Sequence, residues 1–240
     1  VRTRELLERY LPVPPATVLD VGGGAGVYAA WLARRGYRVH LVDPMPLHVE
    51  QAQAVAAAQP DAPFTVATGD ARHLAESDAA YDAVLCLGPL YHLTEQVDRL
   101  AALGEARRVL KPGGVLLAAA ISRFASLFNG LSLGWLDDPA FARIVAQDLR
   151  DGQHRNPDRH PGWFTTAYFH HPDDLAAEVA DAGLALEALL GIEGPGSLLE
   201  SAWADPRRRG QILFAARAIE REPSLLGLSA HLLAVAHRAT

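Results

Sequence analysis

Short runs rich in Val, Leu and Ala alternate along the chain with stretches of helix-forming residues, the pattern of a mostly parallel sheet covered on both faces. A first helix is predicted over Arg2 to Tyr10, stopped by Pro12, Pro14 and Pro15. Strands follow at Thr17 to Val21, Arg38 to Asp43, Phe64 to Thr68, Tyr81 to Leu87 and Val115 to Ile121. Helices at Ala25 to Arg35 and Leu47 to Ala58 fill two of the gaps, with Gly36 placed to cap the former in the left-handed conformation. Another helix is predicted after Thr94, which reads as its N-cap with Glu95 and Asp98 in the first turn. Val97, Leu100, Leu103 and Leu110 fall on one side of it, and Pro112-Gly113 then has the residue types of a type II turn. These elements predict a doubly wound α/β fold.

The regular pattern breaks at Ser122, where about fifty residues of mixed character, through His171, precede a helix near Pro172 to Ala182. Residues 122–171 are expected to form a helical substrate lid inserted within a single domain spanning 1–240. Leu184 to Ile192 reads as a strand, Asp205 to Glu220 as a helix and Leu232 to His237 as a closing strand, leaving Glu193 to Leu228 as a second segment bordering the site.

Half of the 240 residues are hydrophobic, enough for one large α/β core. With 28 acidic against 22 basic residues the net charge is −6, and the basic residues are scattered apart from Arg34-Arg35, Arg107-Arg108 and Arg207-Arg208-Arg209. Each of those runs falls on a predicted helix as a solvated face, so nucleic acid is not the expected partner. No apolar run reaches membrane-spanning length, and Val1-Arg2-Thr3-Arg4-Glu5 lacks the apolar core of a secretory signal, so a soluble, cytoplasmic protein is expected. Cys86, the one cysteine, lies in an apolar run and reads as a core thiol. The adjacent His170 and His171 would point to opposite faces of an extended segment, so no metal is expected.

The chemistry concentrates at Val18-Leu19-Asp20-Val21-Gly22-Gly23-Gly24-Ala25-Gly26, where an apolar strand meets an acidic residue and then a glycine cluster opening a helix. Bare backbone there lets a small molecule lie across the turn against helix N-terminal amides. Gly24, Gly26 and Ala29 satisfy the dinucleotide fingerprint, with Asp43 19 residues beyond Gly24. Asp20 would oppose a pyrophosphate, however, and no Gly-Lys-Ser or Gly-Lys-Thr makes a P-loop. S-adenosylmethionine carries no phosphate and bears a sulfonium and an ammonium that acidic neighbours favour.

Together with Asp43, Gly69-Asp70-Ala71, the strand from Asp82 to Leu87 and Leu110-Lys111-Pro112-Gly113-Gly114, that stretch resembles the class I S-adenosylmethionine-dependent methyltransferases over roughly Val18 to Ile121. The resemblance implies a Rossmann-like, seven-stranded sheet with an antiparallel last strand. It implies that Gly22, Gly24 and Gly26 form the turn under the methionine and ribose, and that Asp20 engages the ammonium directly or through water. Asp43 would accept both ribose hydroxyls, Pro44 and Met45 would pack on the adenine, and Asp70 would accept from its amino group beside Ala71. Leu87 and Gly88 would border the methyl donor. Gly88-Pro89-Leu90-Tyr91-His92-Leu93, with Arg99 and Glu105 to Leu110, looks like a subgroup of bacterial methyltransferases with no common substrate.

Methyl transfer is an in-line displacement from a good leaving group, so the chain need supply no nucleophile. A general base matters only where the acceptor must lose a proton. His92, following the cofactor strand, is the first candidate, then Tyr168 and His170; His154, His160 and His171 are further imidazoles in range. Phe124, Leu127, Phe128, Leu131 and Trp135 are expected to pack the lid. Arg123, Arg155, Asn156 and Arg159 are either binders of an anionic acceptor or solvated loop residues. A small-molecule acceptor suits the lid best; the alternatives are a nucleic-acid methyltransferase, a cofactor-binding accessory protein without turnover and an NAD-dependent oxidoreductase.

Overall fold

Alternating apolar residues send successive side chains to opposite faces of the strands, and both faces are covered. The computed structural model describes residues 1–240 apart from the side chains of 200 and 201. In it β1 (Thr17–Val21), β2 (Arg38–Asp43), β3 (Thr65–Thr68), β4 (Tyr81–Cys86) and β5 (Leu110–Ser122) run parallel, in the spatial order β3-β2-β1-β4-β5. Val18, Ala83 and Leu85 pack with α1 (Arg2–Tyr10), α2 (Val27–Ala33) and α3 (Pro46–Ala57) through Leu6, Leu7, Leu32 and Ala52. Leu19, Val21, Val84 and Cys86 pack on the other face with α5 (Gln96–Val109) and α8 (Pro172–Asp181) through Leu103, Ala106, Leu175 and Val179. Each such Leu or Val is worth roughly 1.5–3 kcal/mol when fully buried.

β9 (His231–Arg238) pairs antiparallel with β5 and with β8 (Leu184–Gly191), completing the expected seven strands with an antiparallel last one. The insertion adds two more. It holds α6 (Ala125–Leu133), α7 (Pro139–Asp151) and a hairpin of β6 (Gln153–His154) and β7 (Ala167–His170), so it is not purely helical. Ile121 pairs with His231 of β9 on one edge and with Phe169 of β7 on the other. β7 therefore takes the edge of β5 that β4 vacates after Cys86, above the short α4 (Pro89–His92). The segment between β8 and β9 carries α9 (Pro206–Ile219) between two 3-10 stretches.

Gly36 and Gly113 have positive φ, of 90° and 77°, as their predicted cap and turn require. Two expectations for α5 fail. Its N-cap is Glu95, with no side-chain capping bond, and the carbonyl of Thr94 instead accepts from Arg99 Nη1 at 2.9 Å. Val97 is 72% exposed, and the buried stripe starts at Arg99, 2% exposed, continuing through Ala102, Leu103 and Ala106. Cys86 is buried, and burial, followed by the charge of Asp20, pushes its thiol up to about 12, far from a nucleophile's range. No helix is long and apolar enough to cross a membrane among the described residues.

Candidate functional site

Four parallel strands end on one edge of the sheet, and the residues just beyond their carboxyl ends converge on a cavity of about 700 Å³. β1 delivers Gly22 and Gly24; β2 delivers Asp43, Pro44 and Met45; β3 leads to Asp70 and Ala71, and β4 to Gly88. Gly22 has φ +65°, and a Cβ there would lie 2.7 Å from Pro89 Cγ, so glycine is what lets the turn meet α4. At Gly24, φ +57°, a Cβ would meet nothing within 4 Å and would protrude into open space.

Asp43 is 4% exposed and ties this corner together. Its Oδ2 accepts from Gly24 N at 2.9 Å, its Oδ1 accepts from Met45 N at 2.9 Å, and His48 Nδ1 lies 3.1 Å from the latter oxygen. Asp70 accepts from the Arg72 guanidinium, with Nη2 to Oδ2 at 2.6 Å, and that bond holds its carboxyl down at about 2. Arg72 also reaches Asp98 at 3.2 Å, so its charge is spent on two carboxylates. His92 borders the cavity, and burial lowers its pKa, with Asp43 opposing the shift and His48 reinforcing it. Its imidazole is thus neutral at pH 7.

Asp20, expected at the ammonium, is not a wall of the cavity. It lies beneath the turn, 1% exposed, with its Cγ 2.8 Å from where a Gly23 Cβ would sit. Burial, then the charge of Asp43, pushes it up to about 7, and its Oδ2 has no hydrogen-bond partner. Two neighbouring carboxylates under the turn disfavour a pyrophosphate and favour a cation there. With the open space over Gly24 and the half-exposed Met45, the residues present fit an adenosyl sulfonium.

Gly26 also stays outside the wall: its Cβ position faces Phe64 and Ala52, and it opens α2 instead. Leu87 packs against the core on the α1–α3 face rather than bordering the cavity. Tyr168 and His170 do not reach the cavity either. Tyr168 is 9% exposed with the Arg99 guanidinium over its ring at 3.6 Å, and His170 is fully buried with Nε2 3.1 Å from Glu178 Oε2. Burial lowers the His170 pKa despite Glu178. Both belong to a buried ionic cluster that docks β7, which removes them from proton transfer at this site.

Sequence reading missed His48, Arg72, Tyr91, Leu93 and Thr165, which complete the wall with Pro89. Arg72 adjoins a motif residue, and Tyr91 and Leu93 lie inside the run from Gly88 to Leu93 without having been given a site role; Thr165 comes from the insertion and carries no such signal. Arg123 is paired with Asp174 of α8 at 2.6 Å, tying the lid to that helix, and Arg155 donates to the carbonyls of His154 and Ala167 within the lid itself. Asn156 likewise spans the loop to the carbonyls of His160 and Trp163. His171 accepts from Asp173 N at the start of α8, away from His170's partner.

Residues 18–114 match a family model described as a methyltransferase domain. A ubiquinone biosynthesis O-methyltransferase of Xylella fastidiosa is 31% identical over 191 residues, covering 78% of this chain and 68% of the relative. Among solved structures, an S-adenosylmethionine-dependent methyltransferase from Mesorhizobium loti has a TM-score of 0.68 at 18% identity, covering 99% of this chain and 98% of that one. A [4+2]-cyclase has a TM-score of 0.63 at 18% identity, covering 99% and 80%. At such identities the two structures speak to the fold alone, which this cyclase shares.

Proposed function

The chain belongs to the class I S-adenosylmethionine-dependent methyltransferases, and from that premise we propose that the cavity at the strand ends holds the adenosyl cofactor while the insertion encloses a small-molecule acceptor. One observation carries the cofactor site: eight residues singled out in four separate motifs line a single cavity. The Xylella relative's O-methyltransferase name supports oxygen as the acceptor atom. Arg72 is the one arginine of the cavity wall among the described residues, and its pairing with Asp70 and Asp98 leaves no basic groove for nucleic acid.

Bound S-adenosylmethionine would supply an electrophilic methyl on a sulfonium, whose sulfur leaves as a neutral thioether when the acceptor takes the methyl. Asp43, already aligned by Gly24 and Met45 amides, has lone pairs left for the ribose hydroxyls. Asp20 acts from below as a buried negative charge favouring the cationic cofactor. His92 takes the proton of a hydroxyl acceptor at its neutral imidazole. Positioning of the two reactants contributes most of the rate, an effect worth up to about 7–11 kcal/mol.

Calorimetric titration with S-adenosylmethionine, S-adenosylhomocysteine and NAD tests the site. The expected result is binding of the first two and none of NAD, with Asp43→Ala weakening both by at least about tenfold, the loss of about 1.4 kcal/mol. Unchanged affinity in Asp43→Ala would remove the ribose contact; tight NAD binding alone would overturn the assignment.

A further inference from the structure

A second cavity, of about 400 Å³, lies behind the first. Five of its wall residues carry aromatic hydrocarbon or indole rings: Trp135, Phe141, Trp163, Phe164 and Phe169. Phe141 meets Trp135 edge-on at 5.4 Å and Trp163 tilted at 5.1 Å, while Phe169 stacks on His154 at 4.6 Å and Trp163 on His160 at 4.3 Å, so the rings brace one another around the space. The ring of Phe164 is the partition between the cavities. It borders the second, and its centroid lies 6.2 Å from those of both Tyr91 and His92, which border the first.

The charges around this space are already matched. His154 is held by Asp148, Nδ1 to Oδ2 at 2.8 Å, and His231 by Glu193, Nδ1 to Oε1 at 2.8 Å. An anionic ligand would meet no free cation among the described wall residues, and a cationic one no free carboxylate. What is left over is a neutral donor and acceptor: Ser126 on α6 is 5% exposed, and its hydroxyl has no hydrogen-bond partner. Asn129 stands one turn further along the same helix face and also borders the cavity. A buried hydroxyl without a partner is costly, and on a cavity wall a polar atom of a ligand would satisfy it.

We propose that this second cavity is the acceptor subsite and takes a neutral, planar aromatic molecule, its ring stacked among the five aromatic walls and one oxygen substituent held by Ser126. The opposite end of the ring then points past Phe164 toward His92 and the cofactor. The assignment of the acceptor role rests on the methyl-transfer reading above.

The test titrates the protein saturated with S-adenosylhomocysteine with 2-naphthol, naphthalene, 2-naphthoate and decahydro-2-naphthol. Flat 2-naphthol is expected to bind at least about tenfold more tightly than its puckered decahydro analogue or the anionic naphthoate. Ser126→Ala, which removes a single oxygen, is expected to weaken 2-naphthol about fivefold or more and leave naphthalene within about twofold, while Trp163→Ala weakens both. Equal affinity for the flat and puckered alcohols, preference for naphthoate, or indifference of 2-naphthol to Ser126→Ala would overturn the proposal. Neither substituted residue borders the first cavity, so loss of S-adenosylhomocysteine binding by the unsubstituted protein would count against the cofactor site instead.

Discussion

Asp20 couples the glycine turn to pH. Its carboxyl ordinarily ionises at 3.8 and here at about 7, so between those values the folded protein holds a proton the unfolded chain has released. Stability of the free protein therefore falls as pH rises through that interval. A cation above the turn favours the carboxylate, so S-adenosylmethionine is expected to bind more tightly as pH rises from about 6 to 8 and to release a proton on binding. Asp20→Asn should flatten that slope and raise the Tm of the free protein above pH 7, and 5′-methylthioadenosine, lacking sulfonium and ammonium, should show no slope. Titrations in buffers of different ionisation enthalpy read the proton count; identical slopes with and without the carboxylate would detach Asp20 from cofactor binding. His92 carries a separate prediction. With its pKa below 6.5, it is ready as a base at neutral pH, and His92→Gln should lower kcat by about 10²- to 10⁴-fold with little change in KM and erase the acid limb of the kcat profile. A mutant retaining that limb would place the proton acceptor elsewhere.

At the level of elements, the insertion is anchored by one buried cluster. Arg99 on α5 makes Nε and Nη2 bonds to Glu178 on α8, at 3.0 to 3.1 Å and 2.6 Å, and donates from Nη1 to the carbonyls of Leu93 and Thr94. Glu178 also meets His170 of β7, and Arg99 and Glu178 are each 2% exposed. Arg99→Met would strand a buried carboxylate at a cost of about 3–5 kcal/mol, and adding Glu178→Leu should recover part of it. Denaturant unfolding of both variants checks this; equal or greater loss in the double variant would show that packing, not pairing, sets the cost. The glycine turn and the strand-end carboxylates were legible in the sequence because each is a local signal: a strand, a turn and the residue after it. Arg99 stands in the likeness to a bacterial subgroup, but its anchoring role was not legible, because a buried arginine looks like a break in an apolar stripe until its partner 79 residues away is known. Tyr168 and His170 were misread for the same reason, since polar tips in a strand look catalytic when their distant partners are unseen. Trp135 of the second cavity reads in the sequence only as lid packing, because the walls come from β5, α6, α7, β6, β7, β9 and the loop between β6 and β7, and no local pattern shows that these distant segments meet.

The whole molecule divides into a sheet core with two large apolar clusters and two crossing segments, 123–171 and 193–228, laid over its carboxyl edge. The cluster under the first segment has Ile121, Ala125, Ala167 and Phe169 buried at its centre, far fewer residues than either sheet-face cluster, and polar clasps add to what holds both segments. The second is clasped at Glu193, whose carboxylate accepts from Ser229 Oγ, His231 N and His231 Nδ1. Burial alone would raise Glu193 and lower His231, but the bonds and charge between them win in both cases: Glu193 sits below its ordinary 4.5 and His231 above its ordinary 6.5. A depressed acid stabilises the fold above 4.5 and loses that contribution as pH falls through its folded value; a raised histidine stabilises below 6.5 and loses it as pH rises through its folded value. The clasp is therefore strongest across the window from 4.5 to 6.5 and weakens on both sides of it. Hydrogen exchange across 194–228, referenced to β1 amides in the same sample, is expected to be slowest in that window and to quicken toward both acid and alkaline pH, with Glu193→Gln abolishing the minimum. Because β9 pairs with β5 at Ile121, whose side chain also lines the second cavity, opening this clasp should loosen the acceptor side while leaving cofactor affinity unchanged. A ratio of exchange rates that stays flat with pH would assign the segment's order to packing alone.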